Sequence, residues 1–229
     1  MLLIIIVVFM IASWAVSTRL KNKFKKYSQV ALGSGLSGRE IAELMLRDNG
    51  IYDVTVTSVQ GKLTDHYNPA NKTVNLSPDV YNGRSAAAAA VAAHECGHAV
   101  QHAKAYRWLE FRSAMVPVQN VSARVINFVF IAMFIGAFGL NMFNTATALL
   151  VIIACYSVFT LFAFVTLPVE YDASNRALAW IQERNIVDER EHKMAKDALN
   201  AAASTYLVAA LGALATLLYY VMLFMGSRD

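Results

Sequence analysis

Residues 125–169, VINFVFIAMFIGAFGLNMFNTATALLVIIACYSVFTLFAFVTLPV, contain no charged side chain. A helix needs about 20 largely apolar residues to cross a hydrocarbon core about 30 Å thick. This stretch is long enough for two crossings, with a break predicted at Asn141-Met142-Phe143-Asn144-Thr145. Working outward, residues 1–18 and 198–227 are also free of charge and supply a short span before the pair and a longer one after it. Runs of this length are rare in soluble folds, so buried core helices are the poorer explanation. Only 16% of the 229 residues are charged and 57% are hydrophobic, a composition that fits a membrane protein better than a soluble domain.

The first span is read as a retained anchor. No Lys or Arg precedes it, and Arg19, Lys21, Lys23, Lys25 and Lys26 follow it; a cleaved signal carries its positive charges in front. Of the 20 Lys and Arg, 13 lie between the first and second spans, before Arg124, and five lie between the third and fourth (Arg176, Arg184, Arg190, Lys193, Lys196). Arg228 alone falls on the other side. The positive-inside rule therefore places both long polar segments in the cytoplasm. A basic cluster abutting a span is a topology signal, suited also to anionic headgroups, and no nucleic-acid partner is expected. The two cysteines, Cys96 and Cys155, offer no disulfide framework.

The expected organisation is a first transmembrane helix over 1–18, a cytoplasmic segment over 19–122, spans at 123–141 and 145–168, cytoplasmic helices over 169–203 and a last span over 204–225. The fold class is mainly α and integral to the membrane: four transmembrane helices with a cytoplasmic α+β portion. Within that portion Ser37 and Glu40 form a capping box ahead of a helix that Asn49-Gly50 ends. Residues 51–59, 62–67 and 72–76 read as short strands. Ser85 caps an alanine-rich helix, Pro168 precedes a helix over 169–183, and Asp188 and Glu191 form a second capping box.

That alanine-rich helix carries His94-Glu95-Cys96-Gly97-His98. Residues four apart on a helix lie on nearly one face, so both imidazoles can bind a single Zn²⁺. Glu95, one position round, reaches the zinc-activated water and takes its proton. Cys96 points elsewhere, and Gly97 admits a neighbouring backbone. His102 is eight residues, about 12 Å of helix, from His94 and is too far to share the ion. A hydrolytic site with two histidines usually adds a carboxylate, and Glu170 in Val169-Glu170-Tyr171-Asp172-Ala173-Ser174 is the best candidate, on the same side of the membrane.

Five stretches together resemble the YugP-like neutral zinc metallopeptidases of bacterial membranes: Asp65-His66-Tyr67-Asn68-Pro69, Leu76-Ser77-Pro78, Tyr81-Asn82-Gly83-Arg84-Ser85, Ala93 through Gln101, and Glu170 through Ser174. With the span pattern, the resemblance covers nearly the whole chain. It implies a multi-pass zinc peptidase of the bacterial plasma membrane, with one zinc per chain on His94, His98 and Glu170 and with Glu95 as base. Similar zinc peptidases often carry an Asp four residues after the distant glutamate to orient a ligand histidine; Ser174 stands there, and Asp172 is placed on the opposite helical face. Arg176, His192 and Tyr206 are the candidates for stabilising the transition state. By analogy, the strand Lys72, Thr73, Val74, Asn75 and Leu76 either takes up substrate by strand addition or is a plain structural strand. Expected partners are a protein or peptide substrate, the lipid bilayer, and a membrane-protein partner or a second copy. A non-catalytic zinc-binding scaffold is the competing reading; Glu95, which zinc binding alone does not require, speaks against it. A transporter is disfavoured because the spans carry no ionisable side chain.

Overall fold

The computed structural model describes residues 1–136 and 144–226. The elements run α1 (Leu2–Tyr27), α2 (Gly38–Asp48), β1 (Thr55–Ser58), β2 (His66–Asn68), β3 (Thr73–Leu76), α3 (Pro78–Tyr81), α4 (Ala86–Ala103), α5 (Arg107–Gly136), α6 (Thr145–Glu183) and α7 (Glu189–Gly226). The protein is mainly helical with one small sheet. Among the described residues α1, α5, α6 and α7 are long and apolar enough to cross a membrane. The predicted break at Asn141, Met142 and Phe143 lies outside the described residues; Asn144 caps α6, its Oδ1 accepting the Ala146 N–H at 2.9 Å.

Two compact units divide the chain. One holds residues 1–14, 111–167 and 206–229, the other 15–110 and 168–205. Each long helix therefore contributes to both.

In the first unit, Ile126, Val129, Leu149, Ile152 and Tyr220 are buried together. Phe128, Ile131 and Phe134 on α5 and Leu218 and Met222 on α7 are exposed. Exposed side chains of this kind would be a liability in water and suit contact with lipid.

The second unit has a conventional core. Ile41 and Met45 of α2, Val74 and Leu76 of β3, Val80, the α4 alanines and Ile181 of α6 are almost wholly buried. The capping box at α2 forms as the sequence predicts: the Ser37 N–H donates to Glu40 Oε2 at 2.7 Å and the Glu40 N–H to Ser37 Oγ at 3.3 Å. The box at α7 forms too, with the Asp188 N–H on Glu191 Oε2 and the Glu191 N–H on Asp188 Oδ1. The other oxygen of Glu191 accepts the Gly33 N–H, fastening the loop after α1 to α7.

The strands are shorter than their sequence pattern. Gly50 takes φ +71° and the Ile51 N–H closes back on Leu46 O, so the end of α2 consumes residue 51 and β1 starts only at Thr55. Gly61 and Leu63 take positive φ, which holds the chain in a turn until His66. The sheet order is β1-β3-β2, with β3 parallel to β1 and antiparallel to β2. α6 is continuous through Pro168, where the sequence suggests a helix start. A proline inside a helix costs one hydrogen bond and crowds the preceding turn, and α6 tolerates it.

Candidate metal centre

α4 presents His94 and His98 one turn apart, and α6 brings Glu170 against them. Glu170 Oε2 lies 3.4 Å from His94 Nε2 and 3.6 Å from His98 Nε2. One ligand atom from each of the three residues falls within 4.8 Å of the others. Tetrahedral coordination with bonds of about 2.0–2.1 Å requires donors about 3.3 Å apart. Two imidazole nitrogens and a carboxylate oxygen are the donor set a hydrolytic zinc site uses. The residues fit the ion.

The close approach of α6 depends on Gly97. A Cβ built there would stand 2.6 Å from Ala173 O and 3.1 Å from Ala173 Cα. Gly97 lies three residues after His94 and Ala173 three after Glu170, so the helices touch one turn from the ligands.

Each histidine is held from behind. Ser174 Oγ is 3.1 Å from His94 Nδ1. His98 Nδ1 is 3.0 Å from Gln101 Oε1. Gln101 is fully buried, and its Nε2 donates to Val169 O and to Asp172 Oδ2, both at 2.8 Å. Asp172 thus reaches the site through Gln101. Burial pulls the His98 pKa down, but the Glu170 and Glu95 carboxylates and the Gln101 hydrogen bond outweigh it, and the net shift is upward.

Glu95 is buried, and its Oε2 accepts the Tyr67 N–H of β2 at 3.0 Å. The Tyr67 hydroxyl lies 2.8 Å from His102 Nδ1. His102 therefore ties β2 to α4 and stands apart from the three-residue group. Cys96 faces the core, with Sγ 3.5 Å from Ala42 O, and burial pushes its thiol well up.

The other candidates are placed differently. The Arg176 guanidinium bonds Asp172 through Nε (2.6 Å) and Nη2 (3.3 Å) and lies 5.7 Å from the centre of the Tyr106 ring, so two of its donors are committed to Asp172. His192 sits in the first turns of α7 with Nε2 buried and without a hydrogen bond. Tyr206 belongs to the stretch of α7 in the first unit. Of the two readings of Lys72–Leu76, strand addition does not fit the sheet, because Thr73, Val74 and Asn75 pair with β1 on one side and β2 on the other. The open edge beside the motif helix is that of β2. The roles of Gln101 and of the Tyr67 N–H, and the link of Asp172 through Gln101, escaped the sequence reading. A polar residue in the otherwise apolar run Ala99-Val100-Gln101 was the one available signal.

Comparison with known proteins bears directly on this site. A family model described as "Putative neutral zinc metallopeptidase" matches residues 2–225. The chain belongs to this family. It is also 41% identical over 217 residues to "Putative membrane protease YugP" of Bacillus subtilis (strain 168), a match covering 94% of this chain and 92% of that protein. No solved structure matches. Family membership accounts for a donor set of two histidines and a glutamate on a chain with four candidate spans.

Proposed function

We propose that this chain is a zinc-dependent metallopeptidase embedded in the bacterial plasma membrane, cleaving peptide bonds at the cytoplasmic face. The observation that carries the reading is the meeting of His94, His98 and Glu170 beside a buried Glu95 whose carboxylate is held by a backbone N–H. His94, His98 and Glu170 would hold one zinc per chain. Zinc in such a set supplies Lewis acidity, lowering the pKa of a water and polarising a carbonyl.

The chain's own residues supply the rest. Glu95 accepts the proton of the attacking water and delivers it to the leaving amine. The Tyr67 N–H fixes one Glu95 oxygen, which orients the other. Ser174 and Gln101 hold the imidazole rings. The catalytic portion is zincin-like in this reading, and an extended peptide lies beside Glu95 and the outer strand β2, whose Tyr67 N–H stays on Glu95. The cytoplasmic placement rests on the distribution of Lys and Arg.

The test is Glu95→Gln in purified full-length protein, assayed on a peptide library with and without chelator. Zinc content, folding and insertion should persist while hydrolysis falls by about 10²–10⁴, and the variant should retain substrates in a pull-down. Full complementation of a deletion, with an unchanged cleavage profile, would mean a scaffold and would refute the peptidase reading.

A further inference from the structure

Gln101 decides which nitrogen of His98 carries a proton. The amide has one donor end and one acceptor end, and its orientation is fixed by what surrounds it. On the nitrogen side stand Val169 O and Asp172 Oδ2, each 2.8 Å from Nε2. The first is a carbonyl. The second belongs to a carboxylate whose two oxygens already accept from Arg176. Both neighbours are acceptors, so the NH2 group must face them. The carbonyl oxygen Oε1 then faces His98 Nδ1 at 3.0 Å. Two acceptors cannot share that contact without a proton, so Nδ1 carries it and Nε2 is left with its lone pair, on the side where Glu170 Oε2 lies 3.6 Å away.

His94 has no such constraint. The Ser174 hydroxyl beside its Nδ1 can donate or accept by rotating. The two imidazoles are therefore held unequally: one by a group that adapts, the other by an amide locked at both ends. Gln101 itself is fully buried and cannot turn to water.

We propose that Gln101 is a positioning residue that imposes on His98 the tautomer a metal requires, and that it takes its own orientation from Val169 and Asp172 of α6. α6 then contributes twice: Glu170 as a ligand, and the acceptors that set Gln101. The proposal rests on the zinc reading above. It differs from a packing role in a measurable way, because it requires an acceptor at this position and a packing role requires only volume.

The experiment ranks zinc affinities in purified full-length protein by competition with a chromogenic chelator, using Gln101→Glu, Gln101→Met and Gln101→Leu. The melting temperature of each zinc-free form is recorded beside it. Glu keeps the length and the acceptor and, as the neutral acid favoured by burial beside the Asp172 carboxylate, one donor for Val169 O or Asp172 Oδ2; Met and Leu fill the space with neither. Met and Leu should weaken zinc binding by about 10–100-fold, the usual cost of removing the group that orients a ligand histidine, while Glu stays within a few-fold of the native chain. Cobalt-loaded Gln101→Glu should likewise keep the visible absorption bands of the cobalt-loaded native protein. A purely structural role predicts the reverse order, since burying a polar carboxyl group costs more than burying Met. Should Met or Leu hold zinc as tightly as Glu, the positioning role is overturned and the zinc reading stands. A native chain that takes up no zinc overturns both.

Discussion

At the scale of single residues, the roles divide by what each side chain touches. Ala at His94, His98 or Glu170 removes a donor from a group of three, and zinc content measured by atomic absorption should collapse in each variant. Ala at His102 removes only the tie to Tyr67, so zinc should remain near one per chain. Retention of full zinc by Glu170→Ala would take Glu170 out of the ligand set. The histidine pair was legible because ligand and base sit within five consecutive positions, and helical periodicity converts that spacing directly into geometry. Gln101 and Tyr67 were not legible. Their partners, Val169 and Asp172 in one case and Glu95 in the other, are distant in sequence, and only the packing of α6 and β2 on α4 brings them near. The link of Asp172 to the site was hidden for the same reason: its own helix turns it from Ser174, and a side chain from α4 reaches across to meet it.

Between elements, two contacts position α6 in the second unit. The first is Gly97 against Ala173. Gly97→Ala would drive a methyl group into the α6 backbone, where no flexible side chain can yield. Overpacking of this kind costs about 1–3 kcal/mol, and because the contact is one turn from the ligands, zinc affinity should fall together with stability. A variant that loses neither would show that the helices have room to part. The second is Asp48 at the end of α2, which accepts from Trp180 Nε1 at 2.9 Å and Arg184 Nε at 2.6 Å. The Arg184 guanidinium, followed by the Trp180 indole, holds the Asp48 carboxyl below its ordinary value despite some burial. A carboxyl depressed on folding adds stability above its unfolded pKa of about 3.9 and loses it as pH falls through the folded value. The melting-temperature gap between native protein and Asp48→Asn should therefore be widest near neutral pH and close in acid. The capping boxes at α2 and α7 were readable because their partners are three residues apart. The sheet order was not, since alternation marks a strand without saying which neighbours it takes; hence the sequence left β3 open between an edge and a structural strand, and it lies between β1 and β2.

For the whole molecule, charge and hydropathy carried most of the information. Four apolar helices follow from composition alone, and the proposed cytoplasmic placement of the polar segments rests on where Lys and Arg are concentrated. In a background lacking Cys96 and Cys155, cysteines placed at 62 and 185 should react with an impermeant reagent only once the membrane is opened, and one at 143 should react from outside. Labelling of position 62 on intact cells would invert this topology. The division of the site between α4 and α6 also has a consequence in time. The motif helix leaves the ribosome before the second and third spans exist, and at about 5–20 residues per second several seconds pass before Glu170 follows. Throughout that interval the nascent chain carries Glu95 and two histidines but neither Glu170 nor the acceptors beside Gln101. Completion of the three-residue group is thus coupled to synthesis of α6, and on the proposed function a chain truncated before Glu170 should be inert toward its neighbours in the translocation machinery.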